Sequence, residues 1–548
     1  MNSSELLSRR RRFAARFGGL WPDVAIVVVL LAFALVTRLV LLGDIPPGLH
    51  GDEAGFGLES RRIQHEGDIG AWSNVALGTP AGTFYWTAAI FSLFGDTVYT
   101  LRVSYALLGV ATVPVAYLAF RVMFEKTTAT IAGLLFCFSA WHIHFSRVAH
   151  VPVAWVLVEA GVMLALFLAL RYESILLFAL TGAVFAAGIY TYGGYPVFVL
   201  AMLAFLGWLA VARYRDRLLE FASWVGVMVG LAIIVGLPMA SYALDHPSDY
   251  IDRNRERSVA RSPEYKSAGN LFERAHVLYS REVDYLQLAV TDPRMDTVDG
   301  AGAFPFVSWA LVVLLVPGGV ICLLRWREPA YAFLLLGIVV IALAPVLTTD
   351  AAYRRTVGLT PLLAGVAALP LATLLAWARR RLALTVAAGV VVALAVGTVS
   401  AIDLTRYFST YDDDPGVNEV YAKTMSDVMS YVDTLPGSPY VYFLSGRWSF
   451  DHETRKFLQP HLQGEDRSAR FGVYSLDADR SKDTLFLFLD AYTDQVDRVE
   501  ARYPGGRTFV TDEFEAYYLP KLAGTELSSL LGLETRDAAL AGKQAVAA

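Results

Sequence analysis

Eleven predominantly apolar stretches, most of them about 17–25 residues and so long enough to cross a hydrocarbon core as a helix, recur between Trp21 and Ile402. Their expected limits are 21–42, 101–124, 127–142, 153–170, 174–192, 195–212, 221–243, 304–324, 329–347, 356–378 and 382–402, the third being the shortest. The chain is 55% hydrophobic and only 18% charged, with a mean hydropathy of +0.46, which argues against a disordered chain, a nucleic-acid-binding protein or an ordinary cytosolic enzyme. A mainly α, polytopic membrane protein is the fold class that remains. The net charge of −5 points to no polyanionic partner, and no nucleic acid is expected. Both cysteines, Cys137 and Cys322, lie inside apolar runs, so neither a disulfide framework nor a cysteine zinc site is expected. The first stretch is too long for a cleavable signal peptide, and no small-residue cleavage site follows it.

Positive residues in short loops are retained on the cytoplasmic side, and here they fall consistently on one face. Arg9 to Arg12 with Arg16, then Arg121 and Lys126, Arg171, the Arg213/Arg215/Arg217 group, Arg325 and Arg327, and Arg379 to Arg381 mark that face. The plan is a cytoplasmic segment 1–20, a membrane domain 21–402 and an extracytoplasmic domain 403–548, in the cytoplasmic membrane with the N-terminus inside. Two long outer loops, 43–100 and 244–303, face the same side as the C-terminal domain. That domain reads as small and α/β. Tyr440 to Leu444 and Leu485 to Leu489 are strand-like, while Tyr421, Met425, Val428, Val432 and Leu435 recur at helical spacing before Pro436-Gly437. A second helix is expected to end at Tyr503-Pro-Gly-Gly506.

The segment with most chemical content follows the first span: Asp44-Ile-Pro-Pro-Gly-Leu-His-Gly-Asp-Glu-Ala-Gly-Phe-Gly-Leu-Glu-Ser-Arg-Arg-Ile63. Asp52 and Glu53 stand together just after a Pro-Pro-Gly turn, where a helix begins. From position alone, Asp52 reads first as the N-cap of that helix; a carboxylate there would also suit a general base acting on a hydroxyl within hydrogen-bond reach.

The run Pro46-Pro-Gly-Leu-His-Gly-Asp52-Glu53-Ala, then Gly78-Thr-Pro-Ala-Gly-Thr-Phe-Tyr-Trp86, Leu93-Phe-Gly95 and Leu101-Arg-Val-Ser104 resembles the first outer loop of GT-C membrane glycosyltransferases. Within that group it is similar to the family of protein O-mannosyltransferases and lipid A aminoarabinose transferases (the glycosyltransferase family 39 type). The resemblance implies an inverting enzyme that takes a sugar from a polyprenyl-phosphate donor and places it on a hydroxyl acceptor. It transfers the catalytic base to Asp52, with Glu53 beside it as a supporting acid. A phosphate leaving group needs no strong general acid, so fixed cations complete the demand.

Candidate cations are the arginines that break the positive-inside pattern. Arg147 lies in Trp141-His-Ile-His-Phe-Ser-Arg-Val-Ala-His150, and Arg354 and Arg355 follow Tyr353 in a segment that resembles the family's late arginine loop. The competing reading is that these side chains snorkel or cap helix ends. Tyr353 and Lys266 complete the expected donor-phosphate set, Lys266 with Tyr265 in the loop 244–303, expected to be partly helical and to close over bound donor. Tyr85, Trp86, Arg102 and His150 are expected to position substrate, Arg102 by fixing the loop through Asp96 or Glu59 and the two aromatics by stacking on a sugar or by interfacial partitioning.

A divalent metal on His142, His144 and His150 is set aside because no carboxylate joins them, and no other cofactor is called for. Asp412-Asp-Asp414 and Asp477-Ala-Asp479 read as solvated turns. Glu159, inside the fourth span, should be paired or protonated, since an ionised carboxylate there costs about 2.5–3.5 kcal/mol. The alternatives are a lipid-linked sugar or oligosaccharide transporter, against which stands the absence of repeated halves, and a glycan polymerase or ligase.

Overall fold

In lipid a backbone must satisfy its own hydrogen bonds, so long apolar runs become helices. The computed structural model describes residues 20–249, 255, 258–291, 305–348, 353–409, 415–468 and 478–522. Arg9 to Arg12, Arg16, Asp412 to Asp414 and Asp477 lie outside these.

Among the described residues seven helices are long and apolar enough to cross a membrane: Trp21–Leu39, Val98–Met123, Pro152–Tyr172, Arg215–Asp245, Pro329–Leu347, Leu359–Ala378 and Leu382–Ser409. Three further expected spans are the shorter apolar helices Ile175–Tyr190, Pro196–Ala212 and Trp309–Leu324. The third expected span is two helices, Lys126–Cys137 and Ala140–Arg147, bent by 51°. All eleven stretches are thus helical, whereas length alone supports seven crossings, or eight with the bent pair. The protein is a multi-pass membrane protein.

The chain divides into two compact units: residues up to Pro47 with Glu59–Val417, and Gly48–Leu58 with everything from Asn418. In the first unit, the bend after Cys137 frees backbone groups that side chains from other helices satisfy. Arg38 Nη1 donates to the Cys137 carbonyl (3.0 Å), and the Ala140 N–H donates to Asp403 Oδ2 (3.3 Å). A Cβ at Gly109 would fall 2.1 Å from Ser146 Oγ, so only glycine lets Val98–Met123 lie this close to Ala140–Arg147. At the other end of the same bundle, Asp23 accepts from Tyr117 Oη (2.6 Å) and Arg121 Nε (3.1 Å), which neutralises part of the positive face.

The long loop 244–303 carries a five-residue helix, Pro263–Ser267, and a 21-residue amphipathic helix, Leu271–Thr291. The second docks on the arginine segment: Arg281 Nη2 donates to the Thr348 carbonyl (2.8 Å), and the Tyr285 and Tyr353 rings lie 5.0 Å apart.

In the second unit, strands β3 (Tyr440–Leu444), β4 (Gly464–Asp466), β5 (Thr484–Leu489), β6 (Arg507–Val510) and β7 (Phe514–Leu519) form one sheet in the order β4-β3-β5-β7-β6. The first three are parallel, and β7 runs antiparallel to β5 and β6. Every residue of β5 is buried, because both faces are covered. Leu485, Leu487 and Leu489 pack with Met425, Val428, Met429 and Val432 on one side. Phe486 and Phe488 pack with Val496, Val499 and Tyr517 on the other. The helix expected from the 421–435 periodicity spans Lys423–Asp433, and the one ending at Tyr503 spans Val496–Arg502. A separate two-residue pair, β1 (Trp72–Ser73) with β2 (Thr79–Pro80), closes part of the first long loop.

Candidate active site

The helix that carries the acidic pair spans Gly51–Glu66. Its N-cap is His50, not Asp52. His50 Nδ1 accepts the Asp52 N–H (3.0 Å), and Glu53 Oε2 reaches back to accept the His50 N–H (3.2 Å). This is the reciprocal arrangement of a capping box, with imidazole in place of the usual hydroxyl. Glu53 is 1% exposed and holds the helix start, while Asp52 is half-buried at the second helical position. The cap reading of Asp52 is therefore corrected. His50 stands three residues before Glu53, a spacing that signals such a box once histidine is admitted as a cap.

Two buried arginines organise the chain that leads into this helix. The last carbonyls of a helix have no intrahelical donors, and a cation is favoured beside them. Arg147, 0% exposed, supplies them after Leu39. Its Nη1 donates to the carbonyls of Thr37 (3.2 Å) and Val40 (2.7 Å), and its Nη2 to those of Leu41 (2.9 Å) and Ile45 (3.0 Å). Its guanidinium also lies 5.0 Å from the Phe408 ring centroid. Both terminal nitrogens are thus engaged by backbone carbonyls, which is the geometry of the helix-end reading rather than that of an open phosphate site. Arg102 is likewise fully buried and fixes the loop through the carbonyls of Pro46 (2.7 Å) and Leu42 (3.4 Å). The partners expected for it bond elsewhere, Asp96 to Arg61 (2.6 Å) and Glu59 to Ser73 (2.8 Å).

The late arginine segment is a short 3-10 helix, Tyr353–Thr356. Tyr353 is fully buried between the rings of Phe306 (3.9 Å), Tyr285 (5.0 Å) and Trp141 (6.3 Å). These rings anchor the segment. Arg355 is buried and hydrogen-bonds the Thr348 hydroxyl, whereas Arg354 is half-buried. Lys266 is exposed on the helix Pro263–Ser267, and the neighbouring Tyr265 ring lies under Arg274 (5.5 Å).

Tyr85 and Trp86 are tied to the chain. Tyr85 Oη accepts the Ile69 N–H (2.9 Å) and reaches the Gly70 carbonyl (3.0 Å) and the Asp68 carboxylate. Trp86 Nε1 donates to the Ser104 carbonyl (2.8 Å), with the residue 38% exposed. The Tyr85 hydroxyl holds the Asp68 carboxyl below the usual carboxylate range. That contribution is therefore present above the unfolded value of about 3.9 and is lost as pH falls below it. Tyr85→Phe keeps the ring and removes these bonds; it is expected to lower stability by about 1 kcal/mol while leaving turnover near wild type. Thermal melting checks this, and an unchanged melting temperature would count against a structural role.

His142, His144 and His150 are all buried, but they point to different partners. His142 Nδ1 accepts from Arg38 Nη2 (2.9 Å), the His144 ring lies 6.1 Å from Tyr407, and the His150 ring 6.1 Å from Phe145. Among the described residues no three His, Cys, Asp or Glu side chains gather closely enough to hold a metal ion. Glu159 is fully buried in its helix, and a Cβ on Gly358 would fall 2.5 Å from its Oε2 and 2.6 Å from the Trp155 ring.

Residues 79–240 match the family model for dolichyl-phosphate-mannose-protein mannosyltransferases. That stretch takes in Tyr85, Trp86, Arg102, Arg147 and His150 and begins after Asp52. No curated protein sequence matches the chain. Among solved structures the fold is similar to ArnT from Cupriavidus metallidurans bound to undecaprenyl phosphate, at a TM-score of 0.58 and 14% identity, covering 91% of this chain and 98% of that one. It is also similar to the archaeal oligosaccharyltransferase AglB from Archaeoglobus fulgidus in complex with an inhibitory peptide and a dolichol-phosphate, at a TM-score of 0.54 and 13% identity, covering 91% and 74%. The fold is thus similar to that of the solved ArnT and AglB structures, and residues 79–240 carry the match to the mannosyltransferase family model.

Proposed function

We propose that the protein is an inverting glycosyltransferase that moves a sugar from a polyprenyl-phosphate donor to a hydroxyl acceptor at the outer face of the cytoplasmic membrane. The observation that carries this reading is the placement of Asp52. It is half-buried in the first turn of a helix whose start is capped by the His50 ring and the Glu53 carboxylate, which fixes the position of its backbone. In the proposed reaction Asp52 takes the acceptor's hydroxyl proton as that oxygen attacks the anomeric carbon. The anomeric carbon–phosphate oxygen bond breaks on the opposite side, and polyprenyl phosphate leaves with the electron pair. A single displacement inverts the anomeric centre. Support comes from the polyprenyl phosphate held by the structurally similar ArnT, and from arginines that cluster at one set of helix ends while the long loops lie at the other.

Of the arginines considered for the leaving phosphate, Arg147 and Arg355 are buried and Arg354 is half-buried. Arg354→Ala is expected to raise the donor KM about tenfold with a melting temperature within a few degrees of wild type. Unchanged donor dependence would remove Arg354 from the donor site. The reading as a whole is tested by release of polyprenyl phosphate from a panel of polyprenyl-phosphate sugars by purified protein, with extracted membranes as acceptor source. Release by wild type and not by Asp52→Asn supports it; absence of release from every donor, with folded protein, overturns it in favour of transport or an oligosaccharide donor.

A further inference from the structure

The segment that bears Asp52 belongs, as a compact unit, with the C-terminal domain. Residues Gly48–Leu58 group with the chain from Asn418 onward, although several hundred residues separate them in sequence. The grouping rests on specific bonds. The Leu49 N–H donates to Ser426 Oγ (3.0 Å), and Thr454 Oγ1 donates to the Leu49 carbonyl (2.9 Å). Both backbone groups of the residue just before the cap are thereby held by side chains of the C-terminal domain. Leu49 is 1% exposed and Thr454 0% exposed, so water cannot readily replace either bond.

Close approach reinforces the hydrogen bonds. Gly48 has φ +66°, and a Cβ there would fall 2.4 Å from the Tyr421 carbonyl oxygen and 2.7 Å from Lys423 Cα. No side chain fits, and the backbone conformation itself favours glycine. The His50 ring meets Tyr421 edge-on at 6.3 Å, and a Cβ on Gly51 would come 3.2 Å from His452 Cε1. These contacts are themselves fixed. Thr424 Oγ1 donates to Glu513 (3.0 Å), tying the start of the helix Lys423–Asp433 to the turn between β6 and β7. His452 Nδ1 accepts the Thr454 N–H (3.3 Å), capping the helix Glu453–Leu458.

We propose that Ser426 and Thr454 are positioning residues for catalysis, so that the C-terminal domain is a working part of the active site rather than an appended module. The two hydroxyls hold the Leu49 peptide, the peptide fixes His50, and His50 caps the turn that presents Asp52. This inference rests on the reading of Asp52 as the base. Since misplacing a reacting group by about 1 Å can cost about 10²-fold in rate, two hydroxyls remote from the substrate can control turnover.

The test is steady-state kinetics of full-length Thr454→Val, Ser426→Ala and the double variant, with Thr454→Ser as the conservative control. Polyprenyl-phosphate release is the readout, and backbone hydrogen exchange over residues 48–54 the second measurement. Expected are a kcat loss on the order of 10- to 100-fold in the double variant with donor KM unchanged, recovery in Thr454→Ser, and faster exchange at 48–54 while the helix Lys423–Asp433 stays protected. Wild-type kcat in the double variant, unchanged exchange at 48–54, or a Thr454→Val defect that Thr454→Ser does not relieve would each overturn the proposal. A variant that loses its fold would expose the helix Lys423–Asp433 together with 48–54, and this too overturns a role confined to positioning. Asp52→Asn separates the two readings: if it still turns over, the base assignment itself has failed, and if it alone is inactive while the double variant is normal, only the positioning role has.

Discussion

Asp52→Asn should lower transfer by about 10²–10⁴-fold, the range that a positioned general base contributes, with little change in stability. Asparagine matches aspartate in shape, so packing in the first turn of Gly51–Glu66 is kept. The bonds that define that turn use His50 Nδ1, the Asp52 backbone N–H and Glu53 Oε2, and the substitution alters none of them. The carboxamide cannot accept a proton at neutral pH, so the loss should fall on kcat and leave donor affinity close to wild type. The measurement is single-sugar transfer at saturating donor together with a melting curve. Transfer within a few-fold of wild type would refute Asp52 as base.

Arg147→Met should be the most destabilising single change considered, by about 3–5 kcal/mol. Methionine fills much of the same volume but withdraws four hydrogen bonds at once, to the carbonyls of Thr37, Val40, Leu41 and Ile45. Each carbonyl it leaves in a buried setting bears its own desolvation cost. The chain from 37 to 45 feeds directly into the Asp52 helix, so activity should fall with stability. Arg147→Lys should recover only part of both, because an ammonium cannot span four acceptors as a planar fork does. Yield and melting temperature in detergent check this. Arg147→Met that melts at the wild-type temperature would show that the clamp is dispensable, since 1 °C corresponds to about 1 kcal/mol in a chain of this length.

The sites differ in how far they could be read in advance. The first long loop was legible because its motif is contiguous: Asp52 and Glu53 stand side by side in a recognisable run, and the helix after them follows from local order. The role of Arg147 was only half legible. A charge on the unfavoured side of the membrane is visible in the sequence, but its partners are carbonyls more than a hundred residues earlier, and a carbonyl has no letter of its own. Tyr353 looked like part of a donor-binding triplet because it adjoins two arginines; the rings of Phe306, Tyr285 and Trp141 that enclose it come from three separate segments. His50 was in plain view and went unassigned because capping is usually sought in hydroxyl and carboxyl side chains. Ser426 and Thr454 carried no signal at all, being ordinary hydroxyl residues within helical runs of a domain read as separate.

The order of residues by itself determined the helical membrane body and the continuously apolar strands β3 and β5, and its contiguous motif carried the resemblance of the first loop. These depend on neighbours along the chain: an apolar run must form its own hydrogen bonds in lipid, and a strand buried on both faces must be apolar throughout. Only the tertiary structure decided which polar groups meet. It sent Arg147 to the end of the first helix, enclosed Tyr353 in aromatic rings, and joined the Asp52 segment to a domain whose contacts lie 377 and 405 residues away. Such pairings form only when distant segments close on one another, since a hydroxyl or guanidinium will satisfy any buried acceptor within reach and the order of residues does not say which acceptor that will be.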